Sequence, residues 1–547
     1  MKNIIMLIIV LFLASTINSQ TVREKKLYEN LKNESYSIYD FSYDEQSGAF
    51  IYAPYDTLKQ KTKIISNKGN SAFYDYISLY DAKYDNSGNY YLTGYNTLDL
   101  NNGKYEYYLL KNGKEIFKTK IISSPITKQD NGLYFIANKD DKDVRIKYNF
   151  LNNELEYGNK YDTIFLTSVK QNIRERDMSF EIGFTKTGKE FYIASKDNKQ
   201  FMVVGGVEMK PYDEILSGNT IEDNLGNICY IARESVDGKN YYCLVQGEKE
   251  FKKFAYVTGP IVTDKDNIPY YSASNNFTDE FPTDQMVVKG NEIISKNFSK
   301  GIYDLSFTPS GKLVYTGIDS LMNGISQSTL FIDGNAYITS QSIWGMIFKS
   351  DDTPIYFSSE SDTVTYLFDG TKKISDAYSY ISDLKISKNG IISYMGTING
   401  DYEKNIPSLT YYIFGNKKLG PFENIAMNEE TPDLTSVNEN GDYAYTATES
   451  KKGKDGELNT KYYIIGKDWK SSKYDYISDL MNYKNDFYFV GNIYNSNGNS
   501  KNVLCKNGKV IVNDYDTFTG IKLNPEKGTI SFLGQKGKSV NIVEVVL

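Results

Sequence analysis

A short cluster, Tyr-Asp-x-Ile in its clearest form, returns along almost the whole chain. It stands as Tyr74-Asp75-Tyr76-Ile77, Tyr161-Asp162-Thr163-Ile164, Tyr212-Asp213-Glu214-Ile215, Tyr474-Asp475-Tyr476-Ile477 and Tyr515-Asp516-Thr517-Phe518. Looser copies end at Ile38, Ile122, Val257, Ile302, Ile343, Ile381 and Ile425. From Ile38 to Phe518 these positions define eleven intervals of 38 to 52 residues. A period of roughly 43 residues marks a repeat architecture, in which each unit buries its apolar faces against its neighbours. The content of one unit is therefore the key to the fold.

Residues 303–343 show that content. Alternation in Tyr303 to Phe307 predicts a short strand, and Thr308-Pro309-Ser310-Gly311 predicts a turn. Lys312 to Ile318 form a second strand, with Leu313, Tyr315 and Gly317 on one face, and Ser328 to Ile332 a third. Asp333-Gly334 suits a type I′ hairpin, which needs positive φ at both central residues, and Ala336 to Thr339 follow as a fourth strand. Four antiparallel strands in about 43 residues is the content of one propeller blade. The turn into the second strand recurs at Ser87-Gly88, Asn131-Gly132, Thr187-Gly188, Asn389-Gly390 and Asn440-Gly441. The third-to-fourth hairpin recurs at Asn112-Gly113, Lys289-Gly290, Asp369-Gly370, Gly415-Asn416 and Asn507-Gly508. No segment beyond the first residues keeps a helical period.

The last repeat supplies only three strands, Ile521 to Leu523, Thr529 to Leu533 and Ser539 to Leu547. A strand from the N-terminal region, around Lys26 to Tyr36, is expected to complete it and remove a free edge. The expected fold is all-β: a β-propeller of about twelve four-stranded antiparallel blades. Rings usually hold about four to eight blades, so two tandem rings are expected, residues 38–302 and 303–547, with residues 20–37 as the closing strand. One very large ring is the alternative.

The Ser/Asn-Gly turn leading into an aromatic-bearing strand, with the x-Asn-Gly-Lys hairpin, resembles bacterial propeller-repeat proteins of the broad WD-repeat-like and TolB-like kind. The Tyr-Asp-x-Ile end is also similar to WG-repeat proteins. The Trp-Asp and Trp-Gly signatures do not recur; Trp344 and Trp469 are the only tryptophans. The resemblance covers residues 38–547 and implies a fold and a habit of binding partners. It carries no residue-level function across.

Residues 1–19 read as a signal peptide. Lys2 precedes an apolar run from Ile4 to Ala14, too short to span a bilayer, and Ser19 offers a small residue at the cleavage point. No later stretch has the length and apolarity of a transmembrane helix. The expected protein is exported, periplasmic or at the cell surface, with no integral membrane segment in its mature part. Charge is mixed, 62 basic and 69 acidic residues, so no nucleic-acid footprint is expected. Histidine is absent, which removes Ser-His-Asp triads, Cys-His pairs and His-ligated metal sites. Of the three cysteines, Cys229 and Cys243 fall on neighbouring strands of one hairpin. They are either a cross-strand disulfide or two buried free thiols, and Cys505 has no obvious partner.

The remaining constellations favour structure. The 49 tyrosines suit half-buried strands, although an exposed cluster on a rim could stack sugars or a peptide. The repeated Asp of Tyr-Asp-x-Ile reads as a cap at the blade junction, accepting backbone N–H groups; a channel cation site is the competing reading. Asp264-Lys265-Asp266-Asn267 lacks the Gly and distal Glu of an EF-hand loop and reads as a turn, and Asp140-Asp141-Lys142-Asp143 as a solvated loop. Arg174 with Arg176 is the nearest approach to an arginine pair. No catalytic, cofactor-binding or metal-binding residue is assigned, and no cofactor. The leading expectation is a non-enzymatic exported propeller that binds a protein or polysaccharide partner through rim loops at Leu98 to Lys104, Ser272 to Thr283 and Glu449 to Thr460. A carbohydrate-binding or glycoside-hydrolysing propeller using Asp, Glu and Tyr, and a periplasmic envelope scaffold, are the alternatives.

Overall fold

The computed structural model describes residues 21–29 and 41–547, apart from 45, 57, 80–81, 101, 167–181, 278–281, 321–325, 362, 388–389, 402–403, 405, 407, 425–434, 439–441, 453–457 and 495–499. The expected signal peptide, the clusters ending at Ile38 and Ile425, and the Arg174–Arg176 pair lie outside the described residues. Those described are strands and turns throughout, without a helix. They group into two compact units: residues 41–378, and the N-terminal strand with residues 379–547. Residues 302 and 303, where the pattern places a ring boundary, both fall in the former.

In the 41–378 unit the repeat is a four-stranded antiparallel meander. Gly301–Phe307, Leu313–Ser320, Ser326–Ile332 and Asn335–Ser340 lie in that order in one sheet. Its first turn is closed by the Gly311 N–H on the Thr308 carbonyl (2.9 Å), and the Thr308 hydroxyl accepts the Lys312 N–H (3.1 Å). Asp333 and Gly334 take φ of 51° and 75°, as the hairpin requires. Leu313 and Tyr315 pack with Tyr270, Val287 and Phe298 of the preceding sheet, whereas Val314 packs with Tyr356 and Phe368 of the following one. Both faces of the second strand are thus buried, each by a different neighbour, and this stacking is how a repeat array makes its core. One sheet of the same order follows, Ser342–Phe348, Pro354–Ser361, Val364–Asp369 and Lys372–Lys373.

The first repeat departs from the expected four-stranded blade. It splits into two three-stranded sheets, one on Phe50–Tyr52 and one on Lys61–Lys63. Pro54 sits between them and has no N–H to continue the ladder.

In the other unit the last sheet has the order Val22–Glu29, Ser539–Val546, Thr529–Lys536, Thr517–Asn524. The N-terminal strand pairs antiparallel, Val22 opposite Val545 and Lys25 opposite Ile542. It supplies the fourth strand of a repeat whose own sequence holds three.

The Tyr-Asp-x-Ile cluster is a junction device. The Asp75 N–H donates to the Tyr95 carbonyl (3.1 Å), and its carboxylate accepts the N–H of Thr97, two residues on (2.6 Å). Asp213 repeats this with Arg233 and Ser235 (3.0 and 2.7 Å), and Asp475 with Asn492 and Tyr494 (2.9 and 2.9 Å). Asp162 uses Ser195 and Asp197 (2.8 and 3.1 Å), and Asp516 uses Gln535 and Gly537 (2.8 and 2.6 Å). The carboxylate takes a ladder position that the backbone leaves open. In the looser copy at Ser379, a hydroxyl accepts the Asn399 N–H in the same place (3.0 Å).

Candidate functional site

In the blade that follows the first repeat, the side chain after Asp75 begins a row that crosses three strands. Tyr76 lies opposite Tyr95, and Tyr95 opposite Tyr107. The Tyr76 and Tyr95 rings stand 5.3 Å apart at 26°, and Tyr95 and Tyr107 5.4 Å apart at 48°. Tyr105 closes edge-on against Tyr95 at 5.4 Å. The row borders a cleft of about 350 Å³, with Ser78, Thr93 and Ser123 also on its walls. Ile122 and Pro125, from the segment leading to the next blade, form part of its far side. Tyr76 is 47% exposed.

Other blades serve as an internal control. A residue required by the repeat would return at the equivalent register positions. Those positions hold Thr163, Ser195 and Gln200 in one blade, and Ser342, Ser359 and Thr365 in another. They hold Tyr380, Thr397 and Thr410, then Tyr476, Asn492 and Asn502, in two more. In these four blades the second and third positions hold polar side chains and tyrosine returns only at the first, so among the described residues the three-ring row is particular to one blade. Sequence reasoning missed Tyr95 and Tyr107. The available signal was the register: aligning the second and third strands of each repeat on the Tyr-Asp-x-Ile cluster exposes the pair.

Ionisable groups beside the row have partners of their own. The Lys61 ammonium stands 3.0 Å from Asp75, and Lys118 stands 2.6 Å from Glu106. Both carboxyls are held below the usual range. Burial works against this at Asp75 and is outweighed by the Thr97 N–H and Lys61; at Glu106 the Lys118 hydrogen bond dominates.

A second cleft, about 720 Å³, is bordered by Tyr241, Tyr242, Asn240, Asn275 and Thr283. In the blade of Tyr242 the register row reads Glu214, Arg233, Tyr242, and its first two members form an ion pair of 2.8 Å.

The sequence-derived candidates resolve as follows. Asp264 accepts the N–H groups of Asp266 and Ile268 (3.0 and 2.9 Å), so Asp264-Lys265-Asp266-Asn267 is a turn. Asp140 and Asp141 pair with Lys160 and Lys120 (2.6 and 3.3 Å), while Asp143 accepts the Ile164 N–H (3.1 Å) and burial raises its pKa. Among the described residues no three Cys, Asp or Glu side chains gather closely enough to hold a metal ion. Cys229, Cys243 and Cys505 are buried free thiols. Cys229 lies opposite Gln246 and Cys243 opposite Ala232, so the first two point to opposite faces of one sheet and pack into different core clusters. Two faces of a strand pair cannot be bridged by one disulfide. The expected rim loops are tips of paired strands: Tyr90–Asp99 with Lys104–Lys111, Asn276–Phe277 with Pro282–Thr283, and Tyr443–Lys452 with Leu458–Gly466. Residues 278–281 and 453–457 of the latter two are outside the described residues.

No protein-family model matches the chain, and no curated protein matches it. Among solved structures, the β-propeller domain of the trilobed protease from Pyrococcus furiosus is similar at 9% identity, over 56% of this chain and 98% of that one, with a TM-score of 0.25. The Dos1 propeller is similar at 11% identity over 74% of this chain and 98% of that one, TM-score 0.27. An oligogalacturonate lyase in complex with manganese is similar at 9% identity over 77% and 97%, TM-score 0.23. Likeness at this level says nothing of chemistry. The repeated four-stranded meanders make the chain a β-propeller-class protein.

Proposed function

We propose that the chain is an exported, non-enzymatic β-propeller that binds a protein or surface-polymer partner, with the Tyr76–Tyr95–Tyr107 row as the principal contact. One observation carries this reading: the row is absent from other blades that fold on the same register. The strands bearing Tyr95 and Tyr107 continue into the rim loop at Leu98 to Lys104, where Leu98 and Leu100 are 63% and 75% exposed. Loop variation on a rigid scaffold is how such folds acquire specificity. No described helix is long and apolar enough to cross a membrane. Export, to the periplasm or the cell surface, rests on residues 1–19.

The test immobilises the protein and its Tyr95→Thr variant and passes envelope extract over both. Thr397 occupies the equivalent position in another blade, so the variant keeps a side chain the fold accepts. Retention by the parent, lost in the variant, is the expected result. Equal retention by both would remove the row from the binding surface.

A further inference from the structure

We propose that the Tyr76–Tyr95–Tyr107 cleft binds an uncharged glycan and does not cleave it. This deepens the binding reading above and rests on it.

The walls decide the chemistry. Their polar side chains are hydroxyls, those of Ser78, Thr93, Ser123, Ser124 and the tyrosines, and among the described residues no charged side chain borders the cleft. A nucleic acid or an acidic polymer needs cations along its path. A metal-bridged ligand needs carboxylates, and those adjacent in sequence to the row, Asp75 and Glu106, are committed to Lys61 and Lys118. An uncharged ligand with apolar faces and polar edges fits what remains. A sugar ring has this form: its C–H faces lie against aromatic rings, and its hydroxyls exchange hydrogen bonds with serine and threonine.

Size points the same way. A volume of about 350 Å³ lies at the lower end of small-ligand sites, about 300–1,000 Å³. It suits a short run of sugar rings entering from an exposed row. A folded protein partner would need roughly 800 Å² of surface per side, far more than this cleft offers by itself. Glycoside hydrolysis by the usual route needs two carboxyl groups flanking the scissile bond. Among the described residues none borders this cleft, so the glycan is held intact.

The experiment is isothermal titration of the purified protein with neutral oligosaccharides, namely β-1,4-linked glucose, xylose and mannose hexamers and an α-1,4-glucan. Polygalacturonate and alginate serve as acidic probes. Tyr95→Thr and Tyr107→Thr are titrated alongside. Together these substitutions reproduce the Thr397–Thr410 pair of another blade, whose hydroxyls lie 3.3 Å apart, so the fold has a precedent for them. We expect at least one neutral oligosaccharide to bind, with each variant weaker by about tenfold, the loss of one ring contact. Unchanged chain length of the bound sugar after prolonged incubation is expected as well. Binding of acidic probes alone, equal affinity in parent and variants, or release of shortened sugars would each overturn the proposal. If no sugar binds but Tyr95→Thr still abolishes retention of an envelope protein, the glycan assignment falls and the binding reading stands. If neither occurs, both fall.

Discussion

The Tyr515 hydroxyl donates to the Glu24 carboxylate across 491 positions of sequence. The same contact joins Tyr74 to Glu115 and Tyr161 to Glu208, both at 2.9 Å, and Tyr212 to Glu250. In those cases the glutamate lies on the outermost strand of the next blade. Glu24 lies on the N-terminal strand, which therefore takes over a side-chain duty of the missing strand as well as its backbone pairing.

That duty is measurable by a double-mutant cycle on Tyr515→Phe and Glu24→Ala, read by urea unfolding. Glu24 is exposed and Tyr515 buried, so a coupling of about 0.5–1.5 kcal/mol is expected. The Tyr74–Glu115 pair should give a similar value. Coupling near zero at Glu24 alone would make the N-terminal strand a backbone filler only.

Asp75→Ala separates the cap from the cation reading. The cap loses its hydrogen bond to the Thr97 N–H, and stability should fall by about 1–2 kcal/mol. Because the Asp75 pKa is lowered in the folded state, this contribution is present above about pH 4 and lost as the pH falls further. Millimolar calcium should leave the melting temperatures of parent and variant where they are. A calcium-dependent rise in the parent that disappears in Asp75→Ala would restore the cation site.

How much of this was legible in sequence depends on whether a feature is local. Asp333-Gly334 predicts its hairpin because positive φ is a property of two adjacent residues. The place of the N-terminal strand beside Ser539–Val546 is legible because the repeat itself supplies a count. Cys229 and Cys243 show the limit. Their hairpin is readable, but facing or opposing depends on register, and one position decides it. The tyrosine row is harder again. Tyr76, Tyr95 and Tyr107 come from three strands, and each alone resembles any half-buried tyrosine. Gly534 was likewise silent: a Cβ there would stand 2.6 Å from the Tyr515 ring, a constraint visible only once the two are packed.

Arg145 and Glu190 join successive blades by an ion pair of 2.8 Å, each side chain 11% exposed. Among the described residues the Arg145 Nε has no hydrogen-bond partner, and the Glu190 carboxylate is the anion paired with the guanidinium. Arg145→Met leaves the Glu190 carboxylate buried without its cation, and a loss of about 3–5 kcal/mol is expected in urea unfolding. Adding Glu190→Leu should recover most of it, because the cost lies in the stranded charge. A single substitution as mild as a surface change would show that water reaches the pair.

Alkaline pH tests the junction tyrosines together. Tyr74, Tyr161, Tyr212 and Tyr515 all have raised pKa values, first through burial and next through the hydrogen bond to a glutamate. In the unfolded chain they ionise near pH 10. The folded state therefore holds these protons more tightly. The stability they contribute is fully present below about pH 10 and is lost as the pH climbs toward the folded values. Tyrosinate absorbance and far-ultraviolet circular dichroism, recorded over one alkaline titration, should share a late transition in which these four ionise as the sheets come apart. Each Tyr→Phe substitution at the four positions should remove part of that late absorbance step and leave the earlier steps alone. Ionisation of all tyrosines with the β-sheet signal intact would show that the junction hydroxyls are open to solvent and that their bonds to Glu115, Glu208, Glu250 and Glu24 do not hold the blades together.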